Sequence, residues 1–167
     1  SSGLRTSYWE NRFIYKTRAS RYSNDGSIKD WTESNVMEIG DNASVLINNG
    51  NGTFAAKIDY SLGNGPEKVD IGDFNGDGWI DLVFAVGTAD KAVVLLNNGD
   101  GTYGAGVSYT TSDDPINVEV VDFNDDGNLD FMTCDNLDHK ISLFQNNGDG
   151  TFTKTFDYLA GQRPYEL

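Results

Sequence analysis

Apolar residues in the second half of the chain fall in short runs or strict alternation, never at helical spacing. "LVFAV" at 82–86 and "AVVLL" at 92–96 are continuous runs of five, while "FTKTFDY" at 152–158 is mixed. Every run ends in glycine, asparagine or aspartate, the residues that turn a chain, so the pattern is one of strands and turns. The expected strands of one unit are 67–72, 82–87, 92–97 and 102–109, and of the next 117–121, 131–134, 140–145 and 151–158. No segment carries an amphipathic helix, and 19 glycines weigh against long ones.

The punctuation recurs at a fixed interval. "NNGNGTF" starts at Asn48, "NNGDGTY" at Asn97 and "NNGDGTF" at Asn146, so that 97 − 48 = 146 − 97 = 49. Pro66, Pro115 and Pro164 keep the same spacing, as do two acidic stretches, "DFNGDGWID" from Asp73 and "DFNDDGNLD" from Asp122. A repeated four-stranded unit of this length predicts an all-β fold built from β-propeller blades, each too small to bury its faces without a neighbour. The chain then divides into an N-terminal segment 1–19, a degenerate blade 20–60, two full blades 61–109 and 110–158, and the first strand of another blade at 159–167. Closed rings hold about four to eight blades. Some three blades therefore predict a partial propeller, completed by further chain or by other subunits.

Within the first acidic stretch Asp73, Asn75, Asp77, Trp79 and Asp81 occupy positions 1, 3, 5, 7 and 9, with Gly78 at 6. Asp122, Asn124, Asp126, Asn128 and Asp130 repeat the set around Gly127. Hard oxygen donors at alternate positions, a glycine at the sharp bend and a backbone carbonyl at position 7 are what Ca²⁺ requires of a short loop. Two unit charges 4 Å apart repel by roughly 4 kcal/mol at an effective dielectric of about 20, and a divalent cation reverses the sign of that interaction. The alternative is a solvated turn, since Asp, Asn and Gly favour turns anyway. A helix–loop–helix calcium site is excluded because position 12 is Phe84 or Thr133 rather than Glu, inside a strand-like run. In the degenerate blade the corresponding turn, "RYSNDGSIKDW", places Arg21, Ser23 and Lys29 where donors should stand, so no calcium is expected there.

On these motifs, "DFNGDGWIDLVFA", "DFNDDGNLDFMTC" and the three "NNGxGTF/Y" segments, residues 41–167 resemble the FG-GAP/VCBS repeat family. That resemblance implies calcium-loop propeller blades like those of integrin α-subunits, some lectins and secreted bacterial adhesins. It also implies extracellular calcium in the loop between a blade's first two strands, and rings of usually about seven blades.

Charge narrows the partners. The 167 residues carry 26 acidic and 12 basic side chains, a net charge of −14 that repels nucleic acid and anionic membranes. Residues 1–30 alone hold six basic and three acidic residues, a net of 6 − 3 = +3, and the basic, aromatic "SYWENRFIYK" is the segment expected to pack against something else. No apolar run is long enough to span a membrane, and the N-terminal stretch lacks a signal-peptide core. Cys134, the only cysteine, reads as a buried small hydrophobe, and His139, the only histidine, as a turn residue. Without an orienting third group they make no nucleophile–base pair, so no catalysis is expected.

The expected function is a non-catalytic, calcium-stabilised binding or adhesion module, secreted or on a cell surface. Its ligand would be a glycan or an extracellular protein. Trp9, Trp31 and Trp79 are candidates for stacking on sugars, against a default of blade packing, and Asn42 and Asn51 begin glycosylation triplets. An accessory propeller of a secreted polysaccharide-active enzyme and a structural subunit of a surface filament are the alternatives.

Overall fold

The computed structural model describes residues 15–22, 28–39, 41–47, 49, 51 and 53–160. The N-terminal segment through residue 14, most of the turn at 23–27 and the tail 161–167 with Pro164 lie outside the described residues. Among the described residues three four-stranded antiparallel sheets follow one another, each a simple up-and-down meander. The first holds β1 (Tyr15–Tyr22), β2 (Ile28–Ile39), β3 (Asn42–Ile47) and β4 (Ile58–Ser61). The second holds β5 (Pro66–Gly72), β6 (Asp81–Val86), β7 (Lys91–Leu95) and β8 (Val107–Thr110), with a 3₁₀ turn at Gly87–Ala89. The third holds β9 (Pro115–Val121), β10 (Asp130–Asp135), β11 (Lys140–Asn146) and β12 (Phe152–Leu159). The fold is all-β, a partial β-propeller of three blades.

The continuous apolar run in β6 has a direct cause. Side chains alternate across a strand, and both faces of the second blade are covered. Leu82, Phe84 and Val86, with Val93 and Leu95 of β7, pack against Ala43, Val45 and Leu62 of the first blade and its exit. Val83, Ala85, Ala92 and Val94 pack the other way, against Val118, Phe131, Phe144 and Phe152 of the third blade. Full burial of each larger side chain is worth about 1.5–3 kcal/mol, so the blades are held mainly by these two interfaces.

Each interface is also clasped by a tyrosine. The Tyr60 hydroxyl accepts the Tyr103 N–H at 2.9 Å, and the Tyr109 hydroxyl accepts the Phe152 N–H at 3.2 Å. The rings meet edge to face, Tyr60 on Tyr103 at 5.8 Å and Tyr109 on Phe152 at 5.6 Å. Both pairs obey the repeat, since 109 − 60 = 152 − 103 = 49.

The "NNGxGT" segments are hairpin turns. Asn98 N–H and Asn147 N–H donate to the carbonyls of Thr102 and Thr151, both at 2.9 Å. The Asp100 and Asp149 carboxylates each accept the N–H and hydroxyl of the threonine two residues on, at 2.9 and 2.6 Å. Gly150 shows why glycine is required. Its φ is +78°, and a Cβ would stand 2.9 Å from Leu96 Cδ2 of the preceding blade.

Candidate metal loops

Both acidic stretches connect the first and second strands of a blade, β5 to β6 and β9 to β10. Position 1 organises each loop. Asp73 Oδ1 accepts the N–H groups of Gly76 and Asp77 at 2.9 and 3.2 Å, and its Oδ2 accepts Gly78 N–H at 2.9 Å. Asp122 does the same for Asp126 and Gly127, at 3.2 and 2.9 Å. Gly78 and Gly127 adopt φ of +85° and +88°, the left-handed bend that brings these N–H groups round.

Positions 3 and 5 pair with each other. Asn75 Oδ1 accepts Asp77 N–H at 3.1 Å while its amide donates to Asp77 Oδ2 at 2.9 Å. Asn124 and Asp126 repeat both bonds at 2.9 Å. At position 7 the Trp79 and Asn128 N–H groups donate to Asp77 and Asp126, both at 2.8 Å. The Trp79 side chain lies over the hairpin turn, where a Cβ on Gly99 would come within 2.8 Å of its Nε1. Asn128 holds the matching place beside Gly148.

Position 9 is different. Asp81 and Asp130 are fully buried, and each joins two turns. Asp81 accepts Phe74 N–H and Asn97 N–H, both at 2.8 Å, and Asp130 accepts Phe123 N–H at 3.3 Å and Asn146 N–H at 2.8 Å. The first asparagine of "NNG" completes the lock, Asn97 Nδ2 donating to the Ile80 carbonyl at 3.0 Å and Asn146 Nδ2 to the Leu129 carbonyl at 2.9 Å. Burial pushes the Asp81 carboxyl up to about 6; the two N–H bonds oppose this, and the charges of Asp77 and Asp73 add to it. Asp130 is raised in the same way, by burial and by Asp126 and Asp122, against the N–H groups of Asn146 and Phe123. Asp126, exposed, is lowered chiefly by the Asn128 N–H.

Among the described residues no three His, Cys, Asp or Glu side chains form a group that could hold a metal ion. Each loop brings positions 1, 3 and 5 together and turns position 9 inward onto backbone N–H groups. The set is nevertheless all hard oxygen, alternately spaced around a left-handed glycine, and the position-9 carboxyl senses the other two. In donor chemistry and spacing the residues fit a hard divalent cation.

The remaining candidates separate clearly. Cys134 is buried, and burial first, then Asp135 and Glu119, push its thiol up to about 11, the reverse of an activated nucleophile. His139 sits in the β10–β11 turn with φ +54°. Trp31 lies in β2, and Trp9 lies outside the described residues. In the turn of the first blade, Arg21 ends up within β1 and Lys29 within β2, while Ser23 lies outside the described residues. Of the two glycosylation triplets, Asn51 is exposed, whereas Ser44 after Asn42 is buried with its hydroxyl on Asp59 at 2.6 Å. Sequence reasoning missed the tyrosine clasps and the second role of Asp81 and Asp130. The signal for the clasps was present, because Tyr60, Tyr109 and Tyr158 are spaced by 49.

The FG-GAP-like repeat pattern matches residues 15–84 and again 73–133, together more than half of the sequence. The chain belongs to the FG-GAP-like repeat family. Among solved structures it is similar to one described as the structural basis of specific recognition of non-reducing terminal N-acetylglucosamine by an Agrocybe aegerita lectin. Identity is 23% and the TM-score 0.52, over 85% of this chain and 36% of that one, a likeness of fold. This FG-GAP-like chain thus spans little more than a third of the lectin. No curated protein matches it. No helix among the described residues is long and apolar enough to cross a membrane.

Proposed function

We propose that this chain is a non-catalytic, calcium-stabilised carbohydrate-binding propeller module that works outside the cell. The observation that carries the sugar assignment is the likeness of fold, over 85% of the chain, to a lectin whose structure is described in terms of terminal N-acetylglucosamine recognition. Calcium rests on the recurrence of one donor set with one hydrogen-bond pattern at two places a repeat apart. Asp73, Asn75, Asp77, the Trp79 carbonyl and Asp81 would hold one ion, and Asp122, Asn124, Asp126, the Asn128 carbonyl and Asp130 the other. Bound calcium would supply positive charge beside Asp81 and Asp130, whose carboxyls are raised first by burial and further by the neighbouring aspartates. Extracellular modules meet calcium at about 10⁻³ M, enough to keep weak loop sites filled, and filled sites stabilise the fold by mass action.

A glycan array that includes terminal N-acetylglucosamine, read with calcium and with chelator, tests the proposal beside melting curves of Asp77→Ala and Asp126→Ala. Glycan retention, a calcium-dependent rise in melting temperature, and loss of that rise when both aspartates are replaced are the expected results. No retained glycan under either condition overturns the sugar assignment. Melting curves indifferent to calcium overturn the metal assignment separately.

A further inference from the structure

The two linkers between blades follow one backbone path and differ in what closes it. Leu62 N–H donates to the Asp41 carbonyl at 2.9 Å and, one repeat on, Thr111 N–H to the Asp90 carbonyl at 3.1 Å. Gly87 N–H meets the Gly65 carbonyl at 2.8 Å, and Asn136 N–H meets the Asp114 carbonyl at 2.9 Å. The N–H after the first of these goes different ways. Gly63 donates to the Asp41 carbonyl at 3.2 Å, whereas Ser112 donates to a side chain, Asp135 Oδ2, at 3.2 Å. Asp135 holds the place of Val86, since 86 + 49 = 135. Val86 is buried in one apolar cluster with Leu62, Phe84 and Val93. At the same places around Asp135 stand Thr111, Thr133 and Ser142. Asp135, Thr133 and Ser142 are fully buried, and the two hydroxyls donate to Asp135 Oδ1 and Oδ2 at 2.8 and 2.5 Å. One seam is thus closed at its linker by apolar contact, the other by a carboxyl whose charge depends on pH.

Charged groups face this carboxyl from every neighbouring element. Lys140 of β11 is its cross-strand partner. From β12 comes Asp157, 2.8 Å from Ser142 Oγ, with Lys154 paired to it at 2.8 Å. The linker brings Asp113 and Asp114, whose N–H groups lie 3.5 Å from Asp138 Oδ2 and 3.0 Å from Asp90 Oδ1. Asp138 also accepts Lys140 Nζ at 3.0 Å, and His139 lies in the same turn. Cys134, next along β10, is a neutral thiol whose proton is held by burial, Asp135 and Glu119. Burial outweighs three donors and Lys154 to hold the Asp135 carboxyl above its usual range. Asp113 is raised too, by burial and then by Asp90 and Asp138, and Glu67 of β5 by burial and Asp114. Groups raised on folding contribute stability below their unfolded values and lose it as pH climbs through the folded ones. Asp138, lowered chiefly by Lys140, loses its contribution only at lower pH.

We propose that the seam between the second and third blades is a proton-operated joint. With Asp135 protonated the linker 111–114 is closed onto the third blade; with Asp135 ionised it opens locally, while the first linker, 62–65, stays shut. The two linkers differ in their side chains and not in their backbone path, so the first serves as a control built into the same molecule. Local opening of this kind is separate from global unfolding and is read amide by amide. Acid tightens the joint and neutral pH loosens it.

Hydrogen exchange read by mass spectrometry on the two linker segments of the whole chain tests this, from about pH 4.5 to about 7.5 in chelator. Rates are corrected for the pH dependence of exchange in an unstructured peptide. Protection of 111–114 relative to 62–65 should fall several-fold as the pH rises. In Asp135→Asn, which keeps the size and an acceptor oxygen but does not ionise, the ratio should stay level. Ser142→Ala removes a donor that favours the ionised carboxyl, so it should move the fall to higher pH. A ratio that does not change with pH in the unaltered chain overturns the proposal, as does the same fall in Asp135→Asn. If Asp135→Asn does not fold, a fall that Ser142→Ala leaves at its original pH overturns it.

Discussion

Raising the pH from about 4.5 to about 7.5 with chelator present should lower the stability of this protein, the opposite of ordinary acid denaturation. The Asp81 carboxyl moves from 3.8 to about 6 on folding, driven first by burial and further by Asp77 and Asp73. A carboxyl raised in the folded state holds its proton there while the unfolded chain has released it. Stability is therefore fully present below the unfolded pKa and is lost as pH rises through the folded one. A shift of about two units is worth about 3 kcal/mol, or roughly 6–12 °C in melting temperature for a domain of this size. Asp130 and Asp135 shift the same way, both chiefly through burial. At Asp135 burial outweighs the Ser142 and Thr133 hydroxyls and the Ser112 N–H, all of which donate to the carboxylate and favour its charged form. Carboxyls shifted down, such as Asp100 and Asp149, each held chiefly by the neighbouring threonine hydroxyl, act in a different window, losing their contribution only as pH falls below about 4. Stability of the ion-free chain should accordingly peak near pH 4–5, roughly between the two sets of pKa values. Thermal melts followed by circular dichroism across that range are the assay, with Asp81→Asn as the control that flattens the slope. Millimolar calcium should remove much of the loss at neutral pH, because ion and proton compete for the same oxygens. A melting temperature that stays level or climbs between about pH 4.5 and 7.5 in chelator refutes the reasoning.

Two further perturbations separate the forces between and within blades. Tyr60→Phe and Tyr109→Phe each leave a ring in place and strip an acceptor from a backbone N–H, so each should cost about 1–3 kcal/mol in urea unfolding, the penalty of an unsatisfied buried donor. Gly127→Ala has φ +88° and no atom within 4 Å of the new Cβ, so it should lose only the left-handed backbone penalty of about 1–2 kcal/mol. Gly150→Ala, at φ +78° with Leu96 at 2.9 Å, should lose that and a packing penalty of about 1–3 kcal/mol besides. Equal losses at the two glycines would show that Leu96 moves aside freely.

The repeat made most of the fold legible, because turn residues and apolar runs are local signals. Where reading slipped, a local substitution within the period was responsible. A strand was expected at 102–109, but the second blade offers Gly104, Ala105 and Gly106 there. It keeps only an isolated bridge between Asn97 and Tyr103 before β8 begins at Val107. At the same positions the third blade has Thr153, Lys154 and Thr155, and β12 runs unbroken from Phe152 to Leu159. In the first blade β1 begins at Tyr15, ahead of position 20 where the pattern becomes readable, because "YKTRASRY" pairs along the unusually long β2 without announcing itself by apolar residues. The acidic loops were legible as donor sets. That Asp81 and Asp130 turn inward was not, since their partners Asn97 and Asn146 lie 16 residues away and belong to the next turn.

That inward turn bears on what calcium would do. A carboxylate that ties the acidic loop to the "NNG" hairpin couples the charge state of the loop to the geometry of the blade's third strand and to the hairpin that follows it. That hairpin carries Tyr103 or Phe152, the residue clasped by the preceding blade's tyrosine. The path from loop to inter-blade interface is thus short: Asp81 to Asn97, and along six residues to Tyr103. A cation drawing charge from Asp73, Asp77 and Asp81 would relieve the repulsion on the buried carboxyl without breaking its bonds to Phe74 and Asn97, stiffening the seam between blades rather than supplying a sugar ligand. Calcium dependence of glycan binding would then track blade stability, and a disulfide or other clamp across the seam should preserve binding in chelator.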